Sequence, residues 1–250
     1  MSANRENDRP VALVTGTARR IGASIARTLH AAGYDLALHC HRSRRELDGL
    51  IDGFERARPK STLALEADLS DIVALAPMIA ATHEYFGRLD ALVNNAATFV
   101  PTPLDKANAR DWDALFAVNA RAPFFLAQAA APHLAARSGA IVNLLDIYAE
   151  TPLRDHAIYC MSKAALAMMT KALARDLAPR VRVNGIAPGA ILWPDGGKSE
   201  ADRRRLIEQT PLGRIGTPED IGSAVLWLIR DAPFVTGEIV RIDGGRHIAG

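Results

Sequence analysis

Short, nearly continuous apolar runs alternate along this chain with longer stretches in which apolar residues recur every three or four positions. Runs of the first kind read as strands covered on both faces, and stretches of the second kind as helices with one buried stripe. The pattern predicts strands at Val11–Val14, Asp35–His39, Thr62–Glu66, Leu89–Val93, Ala140–Leu144, Arg180–Gly185 and Glu238–Ile242. It predicts helices at Arg20–Ala32, Arg44–Arg58, Asp71–Phe86, Ala109–Ala136, His156–Leu177 and Pro218–Ile229. Pro123 and Pro132 are expected to break or kink the fourth.

Strands alternating with helices imply parallel βαβ units with right-handed crossovers, hence a doubly wound α/β sheet, here of seven parallel strands flanked by helices. Ligands of such sheets lie beyond the C-terminal ends of the strands. One domain is expected over residues 11–250, after a disordered tail over residues 1–10. The irregular stretch 187–199 holds Pro188, Gly189, Pro194, Gly196 and Gly197. It reads either as a substrate lid, reaching to about residue 210, or as a solvent loop.

Composition narrows the classes. The 250 residues carry a formal net charge of +2, too mild to imply nucleic acid. No run of about 18 apolar residues occurs, so no membrane span is expected. Cys40 and Cys160 lack CxxC partners, so neither a metal site nor a disulfide framework is indicated. The first ten residues are polar, without the apolar stretch of a signal peptide, and a cytoplasmic protein is expected.

The first strand runs into Thr15-Gly16-Thr17-Ala18-Arg19-Arg20-Ile21-Gly22 and then a helix. A glycine turn before a helix N-terminus suits a pyrophosphate, because glycines let the backbone approach and unpaired N–H groups attract the anion. Two glycines alone would also make a simple tight turn. The second strand ends in His39-Cys40-His41-Arg42-Ser43-Arg44-Arg45, with no carboxylate before Glu46. A carboxylate there would hold the ribose of NAD. Guanidinium groups and a hydroxyl suit the 2′-phosphate of NADP(H) instead, and Arg19 can lean on the same phosphate. His39 and His41 read as core or turn histidines rather than metal ligands.

Tyr159 and Lys163 stand four apart, on one face of a predicted helix. An ammonium beside a phenol is expected to lower the phenol's pKa and ready it as a general acid.

Taken with these, Asp68-Leu69, Asn94-Asn95-Ala96-Ala97, Asn119, Pro188-Gly189 and Asp243-Gly244-Gly245 follow in order, and the whole set resembles the short-chain dehydrogenase/reductase family over nearly the full length. The resemblance implies a Rossmann fold and a homotetramer. It implies that Gly16, Arg19, Arg20, Ile21 and Gly22 hold the pyrophosphate, and that His41, Arg42 and Ser43 hold the 2′-phosphate. Asp68 and Leu69 would border the adenine, and Asn95 and Ala96 would line the cleft. Pro188, Gly189 and Ile191 are further cofactor positions. Tyr159 and Lys163 would hold the nicotinamide ribose, and Asn119 would kink a helix and hold a water in a proton relay.

Two positions depart from the usual family pattern. Arg20 stands where glycine is usual. Asp146 stands thirteen residues before Tyr159, where serine is usual, and no Ser or Thr occurs between Gly139 and Glu150. Both departures, and the stretch Ala97–Leu104, are similar to the pteridine reductase branch. That likeness implies NADPH-dependent reduction of dihydropterin or dihydrofolate to the tetrahydro form, with oxidised pterins as further substrates. Arg20, Phe99, Asp146, Tyr159 and Trp193 would face the pterin, with Phe99 stacked on it. A carboxyl group can both hydrogen-bond a heterocycle and relay a proton to a ring nitrogen. Other readings stay open: Asp146 as a turn cap, Phe99 as core packing, Trp193 as lid packing. As whole-protein alternatives, a 3-oxoacyl thioester reductase and a catalytically silent NADP(H)-binding module also remain.

Overall fold

A computed structural model describes residues 8–193 and 199–249. Seven strands form one sheet: β1 Val11–Val14, β2 Asp35–Cys40, β3 Thr62–Glu66, β4 Ala91–Asn94, β5 Ala140–Leu144, β6 Arg182–Pro188 and β7 Ile239–Ile242. Their order is β3-β2-β1-β4-β5-β6-β7, and every pairing is parallel. Strand order reverses direction between β1 and β4, which opens a crevice at their C-terminal ends. This is a Rossmann-type α/β fold.

The helices are α1 Arg20–Ala31, α2 Arg44–Ala57, α3 Leu75–Phe86, α4 Ala109–Phe116, α5 Ala122–Ala135, α6 Ala157–Leu177, α7 Glu200–Glu208 and α8 Pro218–Leu226. Alternate residues of one strand feed opposite cores. Ala12 and Val14 pack with Ile25 and Leu29 of α1, Leu47 and Phe54 of α2, and Ile221 and Val225 of α8. Val11 and Leu13 pack with Met78 and Ile79 of α3 and Leu126 and Leu134 of α5. Burial on both faces is why these strands are apolar throughout. Each fully buried aliphatic side chain contributes about 1.5–3 kcal/mol. Among the described residues, no helix is long and apolar enough to cross a membrane.

Several boundaries differ from the periodicity. The tail expected over residues 1–10 is engaged at its end: Arg9 pairs with the buried Asp35 at 3.2 Å, and the Pro10 carbonyl accepts from Asp35 N. Residues 1–7 lie outside the described residues. The long fourth helix is interrupted at neither proline. It widens into a π-helical segment over Ala117–Arg121, while Pro123 sits in the first turn of α5 and Pro132 inside it. The widening follows from Asn119, whose side chain bonds to neighbouring elements rather than to solvent. The stretch called irregular gives way to α7 at Glu200, where Ser199 caps the helix by accepting from Asp202 N. Of that stretch, Pro194, Gly196 and Gly197 lie outside the described residues.

Candidate active site

The turn after β1 is laced to the end of β4. Thr15 Oγ1 accepts from the amides of Asn95 and Ala96, each at 3.0 Å. Asn95 Nδ2 donates to the carbonyls of Thr15 at 2.8 Å and Gly16 at 3.0 Å. Asn95 thus shapes the turn with its side chain, while Ala96 crowds it: a Cβ on Gly16 would lie 3.0 Å from Ala96 Cα, and Gly16 has φ +68°. A Cβ on Gly22 would lie 2.0 Å from the Gly16 carbonyl oxygen. Only glycine fits either place.

The N-cap of α1, Arg19, is extended and caps no amide with its side chain. The first-turn amides have no partner within the helix, so a strand end, a close-fitting glycine turn and an uncapped helix dipole converge there. These groups suit a dinucleotide pyrophosphate. Ile21 packs against the core beneath. Arg19 and Arg20 are exposed, and Arg20 has φ +55°, which explains glycine as the usual occupant. Its guanidinium donates to the Trp193 carbonyl at 3.4 Å.

At the next strand ends, His41 Nε2 lies 3.6 Å from Asp68 Oδ2. Ser70 donates to Asp68 Oδ1 from its amide at 2.9 Å and its hydroxyl at 2.8 Å, and these bonds hold the carboxyl below its ordinary pKa. Leu69 is buried beside it. Ser43 occupies the N-cap of α2 without a side-chain cap bond. Arg44 is committed to Asp48 at 2.7 Å, whereas Arg42 is exposed and close enough to Asp68 for its charge to help lower that carboxyl.

Asp146 and Tyr159 meet at the end of β5. The phenol donates to Asp146 Oδ2 at 2.8 Å, while Oδ1 accepts from Tyr148 N at 3.0 Å and caps the short 3₁₀ turn Ile147–Ala149. Asp146 is therefore a turn cap and a partner of Tyr159 at once, through different oxygens. Burial raises its carboxyl above the ordinary value, against the bonds from Tyr148 and Tyr159 and the charge of Lys163.

The expected effect of Lys163 on the phenol is reversed. Burial, and then Asp146, hold Tyr159 well above the usual tyrosine value. Lys163 Nζ donates to the Leu144 carbonyl at 2.8 Å and lies 5.9 Å from the centre of the Tyr159 ring. The lysine itself is buried and is pushed down to about 8 by desolvation. An ammonium that costs this much to bury has less influence on its neighbour than a carboxylate in direct contact.

Asn119 clasps the loop after β4: its Oδ1 accepts from Thr98 N at 2.8 Å, and its Nδ2 donates to the Thr98 carbonyl at 2.9 Å and Ser162 Oγ at 3.0 Å. The clasp places Phe99 beside Tyr159, ring edge to face, with centroids 4.7 Å apart. One Phe99 face stacks on His156 at 4.6 Å. The residue is 53% exposed, so it is not core packing.

In the sheet's other half, Pro188 ends β6, and a Cβ on Gly189 would lie 2.7 Å from Asp243 Cβ. Ile191 is buried in the core. The Trp193 ring lies under the Arg203 guanidinium at 5.3 Å, a contact to α7.

Sequence reasoning missed two side chains. His156 is the N-cap of α6, three residues before Tyr159, and its ring stacks on Phe99. His39, read as a core or turn histidine, bonds directly to the glycine turn after β1: its Nδ1 faces Gly16 N at 3.1 Å.

A family model described as enoyl-(acyl carrier protein) reductase matches residues 16–247. The chain belongs to the short-chain dehydrogenase/reductase family. It is 34% identical to pteridine reductase 1 of Leishmania tarentolae, covering 94% of this chain and 96% of that protein. It is 33% identical to a 3-oxoacyl-(acyl-carrier-protein) reductase of Staphylococcus aureus, covering 95% and 98%. It is 35% identical to gluconate 5-dehydrogenase of Gluconobacter oxydans, covering 94% and 93%. As a short-chain dehydrogenase/reductase the chain is an oxidoreductase. Near-equal identity to relatives with different substrates means that overall similarity does not choose among them.

Proposed function

We propose that this protein reduces pterins with NADPH, taking dihydropterin or dihydrofolate to the tetrahydro form and accepting oxidised pterins as well. The observation that carries the reading is the 2.8 Å bond from the Tyr159 phenol to Asp146, beside the exposed face of Phe99. NADPH supplies the hydride when bound. The turn of Gly16, Arg19, Arg20, Ile21 and Gly22 receives its pyrophosphate, with Asn95 and Ala96 shaping the cleft. His41, Arg42 and Ser43 take the 2′-phosphate, and Asp68 and Leu69 border the adenine. Pro188, Gly189 and Ile191 are further positions that would border the cofactor, and Tyr159 and Lys163 would hold the ribose.

Phe99 offers a flat apolar face to a planar heterocycle, with His156 stiffening it from behind. Burial disfavours the charge of Asp146 and so favours its protonated form. A neutral carboxyl in contact with a phenol can hand a proton to a ring nitrogen, as reduction of a C=N bond requires. Arg20 and Trp193 close the lid end of the slot. A serine at position 146 would polarise a carbonyl but could not store that proton as an acid. Large exposed apolar side chains on α4, α5 and α6, among them Trp112, Phe124 and Met168, suit burial between the subunits of a homotetramer.

The test is NADPH oxidation measured with a dihydropterin, with a 3-oxoacyl thioester and with neither. Turnover on the dihydropterin alone is expected. Turnover on the thioester alone would replace this reading with a carbonyl reductase, the second reading that the Staphylococcus aureus relative favours. None on either would leave a silent NADP(H)-binding module.

A further inference from the structure

The imidazole of His39 is buried between the phosphate turn and the loop after β3. Gly16 N donates to its Nδ1 at 3.1 Å, and its Nε2 lies 3.0 Å from the Ala67 carbonyl. A carbonyl only accepts and an amide N–H only donates, so these two bonds together fix the neutral Nε2–H tautomer. The backbone of the same residue repeats the connection, since its carbonyl accepts from Thr17 N at 2.9 Å and Thr17 Oγ1 at 3.0 Å. Ala67 in turn precedes Asp68 and Leu69. One side chain therefore ties Gly16 to the neighbouring loop, the two parts of the crevice that a dinucleotide bridges.

We infer that His39 is a positioning residue for the dinucleotide which works only while its ring is neutral, so that protonation of Nδ1 loosens the phosphate turn and weakens cofactor binding. A proton on Nδ1 would set N–H against the Gly16 N–H, and a buried donor facing a donor is a costly arrangement. Gly16 has little freedom to evade it, since its φ is +68° and Ala96 stands against it. The charged groups that act on the ring are His41, on its own strand end, and Asp68, on the facing loop; the turn presents only the uncharged Gly16 and Thr17. Burial holds the ring below the ordinary histidine value, outweighing the Ala67 bond. The ring is thus neutral at neutral pH and takes its proton only on acidification. The inference rests on the dinucleotide reading of the crevice, not on pterin as the substrate.

The experiment measures Kd for NADPH at about pH 8 and about pH 5.5, in the wild type, His39→Asn and His39→Gln. The Asn oxygen falls near the Nδ1 position and can still accept from Gly16, whereas the Gln amide falls near Nε2 and keeps only the bond to Ala67. His39→Gln should bind about tenfold or more weaker at the higher pH, and His39→Asn should lie between it and the wild type. The 2′-phosphate and all groups outside position 39 are the same in all three measurements, so their effects cancel in ratios. On acidification the wild type should lose more affinity than either variant, by up to about tenfold at the lower pH.

Parallel pH curves for the three proteins, or equal affinities of wild type and His39→Gln at the higher pH, would overturn the inference. No binding of NADPH by the wild type would instead remove the dinucleotide reading itself. Because a buried position tolerates substitution poorly, nitrogen NMR of the histidine-labelled wild type gives a test without variants. It should find His39 as the neutral Nε2–H tautomer at the higher pH, and an Nδ1–H tautomer would sink the idea.

Discussion

Tyr159 donates its phenolic proton to Asp146 Oδ2 across 2.8 Å, while the other carboxylate oxygen of Asp146 caps the turn beginning at Ile147. The two oxygens do separable jobs, and substitution can separate them.

Asp146→Asn should keep the cap, because the Asn oxygen still accepts from Tyr148 N. With that oxygen on the cap, the amide nitrogen faces Tyr159, a donor in place of the acceptor and one that stores no acidic proton. Dihydropterin kcat should fall by about 10²–10⁴-fold, the scale of general acid catalysis. Steady-state turnover undiminished in this variant would take Asp146 out of the reaction.

The same substitution should not cost stability at neutral pH. Asp146 has its folded pKa raised by burial. Its favourable contribution is fully present below the unfolded value, about 3.8–4 for aspartate, and is lost as pH rises through the higher folded value. Asn cannot ionise. Melting temperatures followed from acid to neutral pH should therefore show the variant gaining on the wild type as pH rises. A variant that instead loses ground to the wild type as pH rises would mean that the carboxylate is stabilised rather than penalised by its site.

Arg42→Ala should weaken NADPH binding and leave NADH nearly unchanged. Losing a hydrogen bond to a charged group costs about 1.5–3 kcal/mol, roughly 10- to 150-fold in affinity. Equal losses for the two cofactors would place the 2′-phosphate away from Arg42.

Arg20→Gly should stabilise the protein and impair it. Arg20 occupies a left-handed conformation at φ +55°, which glycine adopts without the roughly 1 kcal/mol side-chain penalty. Thermal melting should move upward, while KM for NADPH or the pterin rises as the guanidinium contact to the Trp193 carbonyl is lost. A variant less stable than the wild type would show that the contacts of Arg20 outweigh its backbone strain.

The strands and most helices were legible in the sequence because burial on one or two faces writes a period into the chain. Val11–Val14, Thr62–Glu66 and Ala140–Leu144 fall at their predicted positions. The ordered motifs made the family legible too, and Gly16 and Gly22 belong to that signal because a Cβ at either would collide with backbone. Periodicity could not locate the π-helical widening at Asn119, since it is held by Thr98 and Ser162 from other elements. Nor could spacing order the charges around Tyr159. A lysine four residues away on the same helix predicts a lowered phenol pKa, yet Lys163 turns to the Leu144 carbonyl and Asp146 takes the phenol. The tie from His39 to Gly16 spans 23 positions and exists only because β2 lies beside β1. Sequence alone determined most of the elements and their order, because those depend on local chemistry and burial period. Tertiary structure alone decided which buried group faces which, and so which way each proton leans, because hydrogen-bond partners and desolvation are properties of the packed whole.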